Sequence, residues 1–114
     1  MLGLFPTQQA TTSDMVAFNA EGRVEEILIK QSAGSRLAYT WSLAVWRPVF
    51  TEFMTDWLTQ PPSSRAAGSE LYVGDAVIAA MNAGLRVDAS LVSVLLRLDA
   101  GTPETLAIAR RREW

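Results

Sequence analysis

The chain contains no cysteine and no histidine. Without cysteine it can form no disulfide, no thiolate zinc site and no cysteine nucleophile. Without histidine it has no Ser-His-Asp triad, no imidazole metal ligand and not the usual general base. Any bound metal must therefore be held by carboxylates, which favour Mg²⁺ or a similar hard cation.

Excess charge and long apolar runs are also missing. Twelve acidic and ten basic residues leave a net charge of −2, and Lys30 is the only lysine. This balance provides no general attraction to nucleic acids or to anionic membranes. The longest strongly apolar run, residues 37–46, is too short to span a bilayer, and no secretory signal pattern is visible. We expect a cytoplasmic protein whose partners include neither nucleic acid nor membrane.

The residues that are present predict one domain over 1–114, since 114 residues with 49% hydrophobic content can bury a real core. Apolar patterns predict strands at 2–5, 14–19, 23–30, 37–46, 85–89 and 91–98, and helices starting at Pro48, Glu70 and Pro103. The connection 19–22, which ends in glycine, predicts a hairpin between the second and third strands. Ser69 and Thr102 are the expected N-caps of the last two helices, and Gly84 is expected to end the helix that starts at Glu70. The near-continuous apolar character of 37–46 predicts a strand buried on both faces. The order of elements indicates an α/β fold, a mixed sheet with flanking helices.

Asp99 is the first candidate for chemistry. It follows a predicted strand and precedes Gly101 and a helix start, and ligands of open α/β sheets bind beyond the carboxyl ends of strands. In that position a carboxylate could hold Mg²⁺ against a phosphate. The pattern alone favours a simpler interpretation, because Asp-x-Gly sequences commonly form turns.

Lys30 and the arginine run 110–112 are the basic candidates. Lys30 ends a predicted strand and could act as a point charge for a phosphate, although a lysine in such a position is more often solvated. The arginine run lies in the last turn of a predicted helix, where cations complement the helix dipole. It has no interleaved aromatic platform, which argues against a nucleic-acid site.

Four stretches in sequence order carry motifs: residues 18–30, 42–53, 70–87 and 99–106. Together they resemble the C-terminal part of the sugar-phosphate nucleotidyltransferases, the family of glucose-1-phosphate thymidylyltransferase. The most specific is Asp-Ala-Gly-Thr-Pro-Glu-Thr-Leu at 99–106, which is similar to the family's Asp-Ile-Gly-Thr-Pro-Glu-Asp-Leu. The resemblance implies the C-terminal half of a Rossmann-like nucleotidyltransferase fold.

The resemblance also implies an activity and roles for three residues. A sugar 1-phosphate would attack a nucleoside triphosphate and release pyrophosphate, a reaction that depends on positioning and charge neutralisation more than on covalent catalysis. Asp99 would be catalytic as a ligand of Mg²⁺, Lys30 would neutralise the sugar phosphate, and Ser42 would lie close to the sugar.

The chain departs from the family pattern in two ways. Ile29 and Gln31 stand where the family has the Glu and Pro of its Glu-Lys-Pro motif, and the family's Gly-rich nucleotide loop is absent. The resemblance therefore implies a portion that is inactive alone and works with an N-terminal half, or self-associates. The alternative is a non-catalytic α/β binding or assembly module that retains the fold; an unrelated small α/β binding domain is a third interpretation.

Overall fold

The computed structural model describes residues 1–31, 35–60 and 70–111. These described residues form five strands and three helices. They are β1 (Leu2–Pro6), β2 (Met15–Phe18), β3 (Val24–Leu28), β4 (Tyr39–Ala44), α1 (Pro48–Thr59), α2 (Val73–Asn82), β5 (Ala89–Leu91) and α3 (Pro103–Arg111). The strands form one mixed sheet in the order β3-β2-β4-β1-β5, which confirms the predicted α/β layout.

Strand pairing brings the two edges of this sheet towards each other. β1 pairs antiparallel with β4 and parallel with β5, while β2 pairs antiparallel with both β3 and β4. An isolated bridge joins Arg23, just before β3, to Asp88, just before β5. The Ala89 N–H also donates to the Gly22 carbonyl over 2.7 Å. The β2–β3 hairpin is thus tied to the rest of the sheet at both of its ends.

One face of the sheet forms the core. Leu2 and Leu4 alternate with Gly3 along β1, so both leucines point to the same face, where Val77 of α2 covers them. The buried cluster is completed by residues of the hairpin and comprises Leu2, Leu4, Val16, Val24, Ile27 and Val77. A Cβ at Gly3 would lie 2.9 Å from a methyl group of Val92, so glycine allows that segment to lie across the opposite face.

The prediction that residues 37–46 form a strand buried on both faces is wrong. The strand covers Tyr39–Ala44, and Leu43, Val45 and Trp46 are exposed. Burial on both faces needs helices on both sides, whereas here α2 covers only the face of β1 that carries Leu2 and Leu4. Trp46 instead contacts Phe50 of α1 edge to face, with 5.5 Å between the ring centroids.

The two strands predicted over 85–98 are also wrong in extent. Only Ala89–Leu91 is a strand, and residues 92–98 are irregular. Two single backbone bonds hold them to β1: the N–H of Val92 donates to Leu4 and that of Arg97 donates to Pro6. Apolar composition alone cannot distinguish a strand from an extended segment that lacks a continuous partner. Asp99 therefore does not follow a strand.

The observed helix ends agree with the sequence-based predictions better than the strand ends do. α1 begins at Pro48, and α2 is followed by Gly84, whose positive φ of 93° suits glycine. α2 begins at Val73, three residues later than predicted, and its expected cap, Ser69, lies outside the described residues. The N–H of Thr105 donates to the Thr102 hydroxyl, as expected at the start of α3. Within the described part of the chain, no helix has the length and apolarity needed to cross a membrane.

Candidate functional site

The loop before β2 and the residues after β3 meet at one end of the sheet. Met15 pairs with Leu28 of β3 on one side and with Thr40 of β4 on the other. The Thr40 hydroxyl is buried and donates to the Asp14 carbonyl over 2.8 Å. This end of the sheet therefore carries Asp14 and, two residues beyond β3, Lys30.

Lys30 lies against an aromatic ring and is not simply solvated. Its Nζ is 3.9 Å from the centroid of the Tyr72 ring, which is a cation–π distance. Its φ of 39° is unusual for a residue other than glycine. The Tyr72 hydroxyl in turn donates to a carboxylate oxygen of Glu70 over 2.8 Å. The backbone and the ring together hold the ammonium at the start of α2.

Among the described ionisable residues, Asp14 is the one whose pKa departs most clearly from its ordinary value. Burial raises the pKa of its carboxyl group; the charge of Lys30 opposes this, the charge of Asp75 adds to it, and the indole N–H of Trp41 lowers it. Asp14 Oδ1 and Trp41 Nε1 are nevertheless buried without a hydrogen bond of ordinary geometry. Unsatisfied buried polar atoms and perturbed carboxyl groups are uncommon in cores and frequent at functional sites.

Gly74, in the first turn of α2, allows the helix to approach this carboxylate. A Cβ there would lie 2.8 Å from Asp14 Oδ2 and 3.2 Å from Cδ1 of Ile29. Ile29 is half-buried and packs against the core, so it supplies apolar contact where the family motif has a carboxylate. Asp75 accepts a hydrogen bond from the Tyr72 N–H over 2.9 Å and thereby fixes the start of α2.

Asp99 has the geometry of a turn residue. Its Oδ1 accepts the N–H of Gly101 over 3.1 Å, and its Oδ2 lies 3.6 Å from the Arg97 guanidinium. Its side chain is 57% exposed. The N–H of Asp99 donates to the Gln9 side-chain oxygen over 2.9 Å. Gln9 belongs to the loop that leads to Asp14, and Asp14 lies at the end of the sheet that carries Lys30. The Asp99 turn therefore contacts a loop that continues to the Lys30 end of the sheet.

Ser42 is not brought into contact with the other two predicted site residues. It is exposed on β4 and takes no partner on β1, where the register shifts between Gly3 and Leu4. Among the described residues, no three acidic side chains are close enough together to hold a metal ion.

The sequence patterns assign no site role to the residues that surround Lys30. They place Asp14 at the start of a predicted strand, Tyr72 and Gly74 in a predicted helix, and Trp41 in a strand predicted to be buried. One available signal was the position of Asp14, an acidic residue directly before a buried apolar strand. The approach of α2 to the hairpin depends on tertiary packing, and no local pattern reports it.

The cluster of Asp14, Lys30, Tyr72 and Asp75 combines one exposed ammonium with a phenol and two carboxyl groups that are half-buried. Such a set can donate and accept hydrogen bonds at once and supply one positive charge, which suits a polar ligand with hydroxyl groups and an anionic group. Comparisons with protein-family models, curated proteins and solved structures found no match for the chain.

Proposed function

We propose that the chain supplies the acceptor side of a sugar-phosphate nucleotidyltransferase, with the fold of that enzyme's C-terminal half. The observation that carries the proposal is a juxtaposition at one end of the sheet. The loop from Gln9 to Asp14 contacts the Asp99 turn at one of its ends and the Lys30 cluster at the other. The Asp99 segment carries the most specific of the four motifs, and Lys30 ends another of them.

In this proposal Lys30 receives the phosphate of a sugar 1-phosphate. Its ammonium lies on the Tyr72 ring at an exposed position, so a phosphate can approach it from solvent. The Asp14 carboxyl group interacts with this charge and also with Asp75, and the two acidic side chains would favour hydroxyl groups over a second anion. A single cation, Lys30, with hydrogen-bond acceptors nearby would therefore select a sugar that carries one phosphate group over a ligand with several anionic groups.

Asp99 is proposed as a Mg²⁺ ligand that is completed by groups beyond the described residues. Its carboxylate is exposed, and within the described part of the chain it makes one hydrogen bond and one long ion pair, so one face remains accessible to a cation. Mg²⁺ usually binds through one or two protein carboxylates together with substrate phosphates. When bound, it would neutralise the charge of the reacting phosphates.

Binding of glucose 1-phosphate to the chain tests the role of Lys30. We expect weak saturable binding that Lys30→Gln reduces about tenfold, as the loss of one charge-assisted contact predicts. Arg23→Gln, at an exposed cation next to the hairpin turn, is the matched control. Glucose without the phosphate should bind more weakly and should be insensitive to both changes. Equal effects of the two substitutions would contradict the proposal.

Turnover in a complex with an N-terminal half tests Asp99. Asn can keep the acceptor for the Gly101 N–H, so Asp99→Asn should leave the fold nearly unchanged. Nucleotidyl transfer should nevertheless fall about 100-fold or more, which corresponds to roughly 3 kcal/mol of transition-state stabilisation. Near-normal turnover would reduce Asp99 to a turn former.

The chain alone should not bind dTTP with Mg²⁺ at micromolar concentrations, because the family's phosphate loop is absent.

The second candidate is a non-catalytic binding or assembly module. It is favoured by apolar side chains that the described structure leaves exposed, notably Leu43 (55%), Val94 (79%) and Leu95 (75%). Patches of this kind often mark interaction surfaces. Sedimentation that shows a concentration-dependent oligomer, together with no binding of glucose 1-phosphate, would favour this candidate over the transferase.

A further inference from the structure

A cavity of about 760 Å³ lies at the other end of the sheet from Lys30. It opens between the end of β4 and helices α1 and α2, and its volume is in the range typical of small-molecule sites. Lys30, Ser42 and Asp99 are not among its lining residues. The cavity is therefore separate from the proposed sugar-phosphate site, although Trp41 lines the cavity and also interacts with Asp14.

Aromatic and aliphatic side chains form the walls of the cavity. Trp46 and Phe50 contact each other edge to face, and the Trp46 indole N–H donates to the Thr51 hydroxyl over 3.1 Å. This hydrogen bond holds the Trp46 ring in place at the mouth. Trp41 from the sheet and Val77 from α2 line the interior. Flat, apolar walls of this kind favour a ring system over a flexible polar ligand.

The lining of the cavity carries more positive than negative charge, from Arg47 and from the Met1 ammonium, which donates to the Val45 carbonyl. Arg86 and Asp88 neutralise each other through an ion pair of 2.9 Å. Arg47, which precedes α1, is exposed and forms no ion pair with any of the described carboxylates. The first turn of α1 contains no acidic residue that could balance it. The lining thus combines an apolar interior with an anion-attracting rim.

We propose that this cavity binds a small aromatic anion. Its rings would lie against Trp41 and Phe50, and its carboxylate, sulfonate or phosphate group would contact the Arg47 guanidinium. Charge complementarity sets the sign of the ligand, and the cavity volume limits it to a small molecule.

Two probes with the same aromatic skeleton test the proposal on the full chain. One is 8-anilinonaphthalene-1-sulfonate, and the other is N-phenyl-1-naphthylamine, which lacks the sulfonate. We expect one equivalent of the sulfonate to bind about tenfold more tightly than the amine, with a change in tryptophan fluorescence. Arg47→Gln should remove this preference and leave the affinity for the neutral amine nearly unchanged.

Two further variants separate the cavity from exposed apolar surface elsewhere. Val49→Glu introduces a carboxylate at the mouth, in the first turn of α1 where acids stabilise a helix, so it should fold and should weaken only the sulfonate. Leu58→Glu makes the same kind of change at an exposed position of α1 outside the lining, and should change neither affinity. Equal affinities for the two probes, or equal effects of Val49→Glu and Leu58→Glu, would overturn the proposal.

Discussion

Replacing Thr40 with valine should loosen the hairpin that carries the Lys30 cluster. Thr40 is 1% exposed, and its hydroxyl donates to the Asp14 carbonyl over 2.8 Å. It is also the β4 residue whose register pair, with Met15, joins β2 to β4. Valine has nearly the same shape, so the substitution removes the hydrogen bond without opening a cavity.

The expected loss follows from that one bond. A buried hydrogen bond contributes about 0.5–1.5 kcal/mol net, and the loss grows when its acceptor is left buried without a donor. We therefore expect Thr40→Val to lower the free energy of unfolding by about 1–2 kcal/mol. With a urea m value of about 2 kcal/mol per molar, in the middle of the range for small proteins, the unfolding midpoint should fall by roughly 0.5–1 M.

Urea unfolding at two protein concentrations measures this difference and detects self-association. The matched control is Ser42→Ala, which removes a hydroxyl from an exposed residue of the same strand and should change stability by less than about 0.5 kcal/mol. If both variants unfold at the wild-type midpoint, the Asp14–Thr40 bond does not anchor the hairpin. The bridge between Arg23 and Asp88 would then be its main attachment.

Three further predictions concern the core, a helix end and pH. Leu4→Ala should lower the free energy of unfolding by about 2–5 kcal/mol because Leu4 is fully buried, whereas Leu43→Ala at a 55% exposed position should have little effect; chemical denaturation compares the two. Gly84→Ala should cost about 1 kcal/mol by thermal unfolding, since its φ of 93° strains a side chain even though no atom lies within 4 Å. Burial raises the pKa of Asp14 above its unfolded value, so the folded chain binds the proton more tightly than the unfolded chain and loses stability as pH rises from about 4. Asp14→Asn should flatten that part of the stability–pH profile. An unchanged profile would mean that other groups cause the slope.

Local signals predicted the elements that depend on neighbouring residues in the chain. The Asn19–Gly22 connection indicated the hairpin, Pro48 marked the start of α1, Gly84 marked the end of α2, and Thr102 capped α3. Each of these signals acts through a backbone dihedral angle or a hydrogen bond within a few residues, so it is present whatever the rest of the fold does.

Predictions that needed a distant partner were less reliable. Residues 91–98 have strand composition, yet only Ala89–Leu91 pairs continuously with β1. Residues 37–46 have the composition of a buried strand, yet Leu43 lies exposed on the face of the sheet that α2 does not cover, and Trp46 lies beyond the end of β4. Composition reports what a segment can bury, and the partner decides what it does bury.

The candidate site also contains some residues that local motifs indicate and others that only distant contacts bring together. Sequence motifs by themselves singled out Lys30 and Asp99, and their roles in nucleotidyl transfer remain predictions. Only tertiary structure put the Lys30 ammonium on Tyr72 and brought Asp14 against Gly74, because these contacts join segments more than forty residues apart. Such contacts follow from how α2 packs on the hairpin, and that packing depends on the absence of a side chain at Gly74 as much as on the residues that touch.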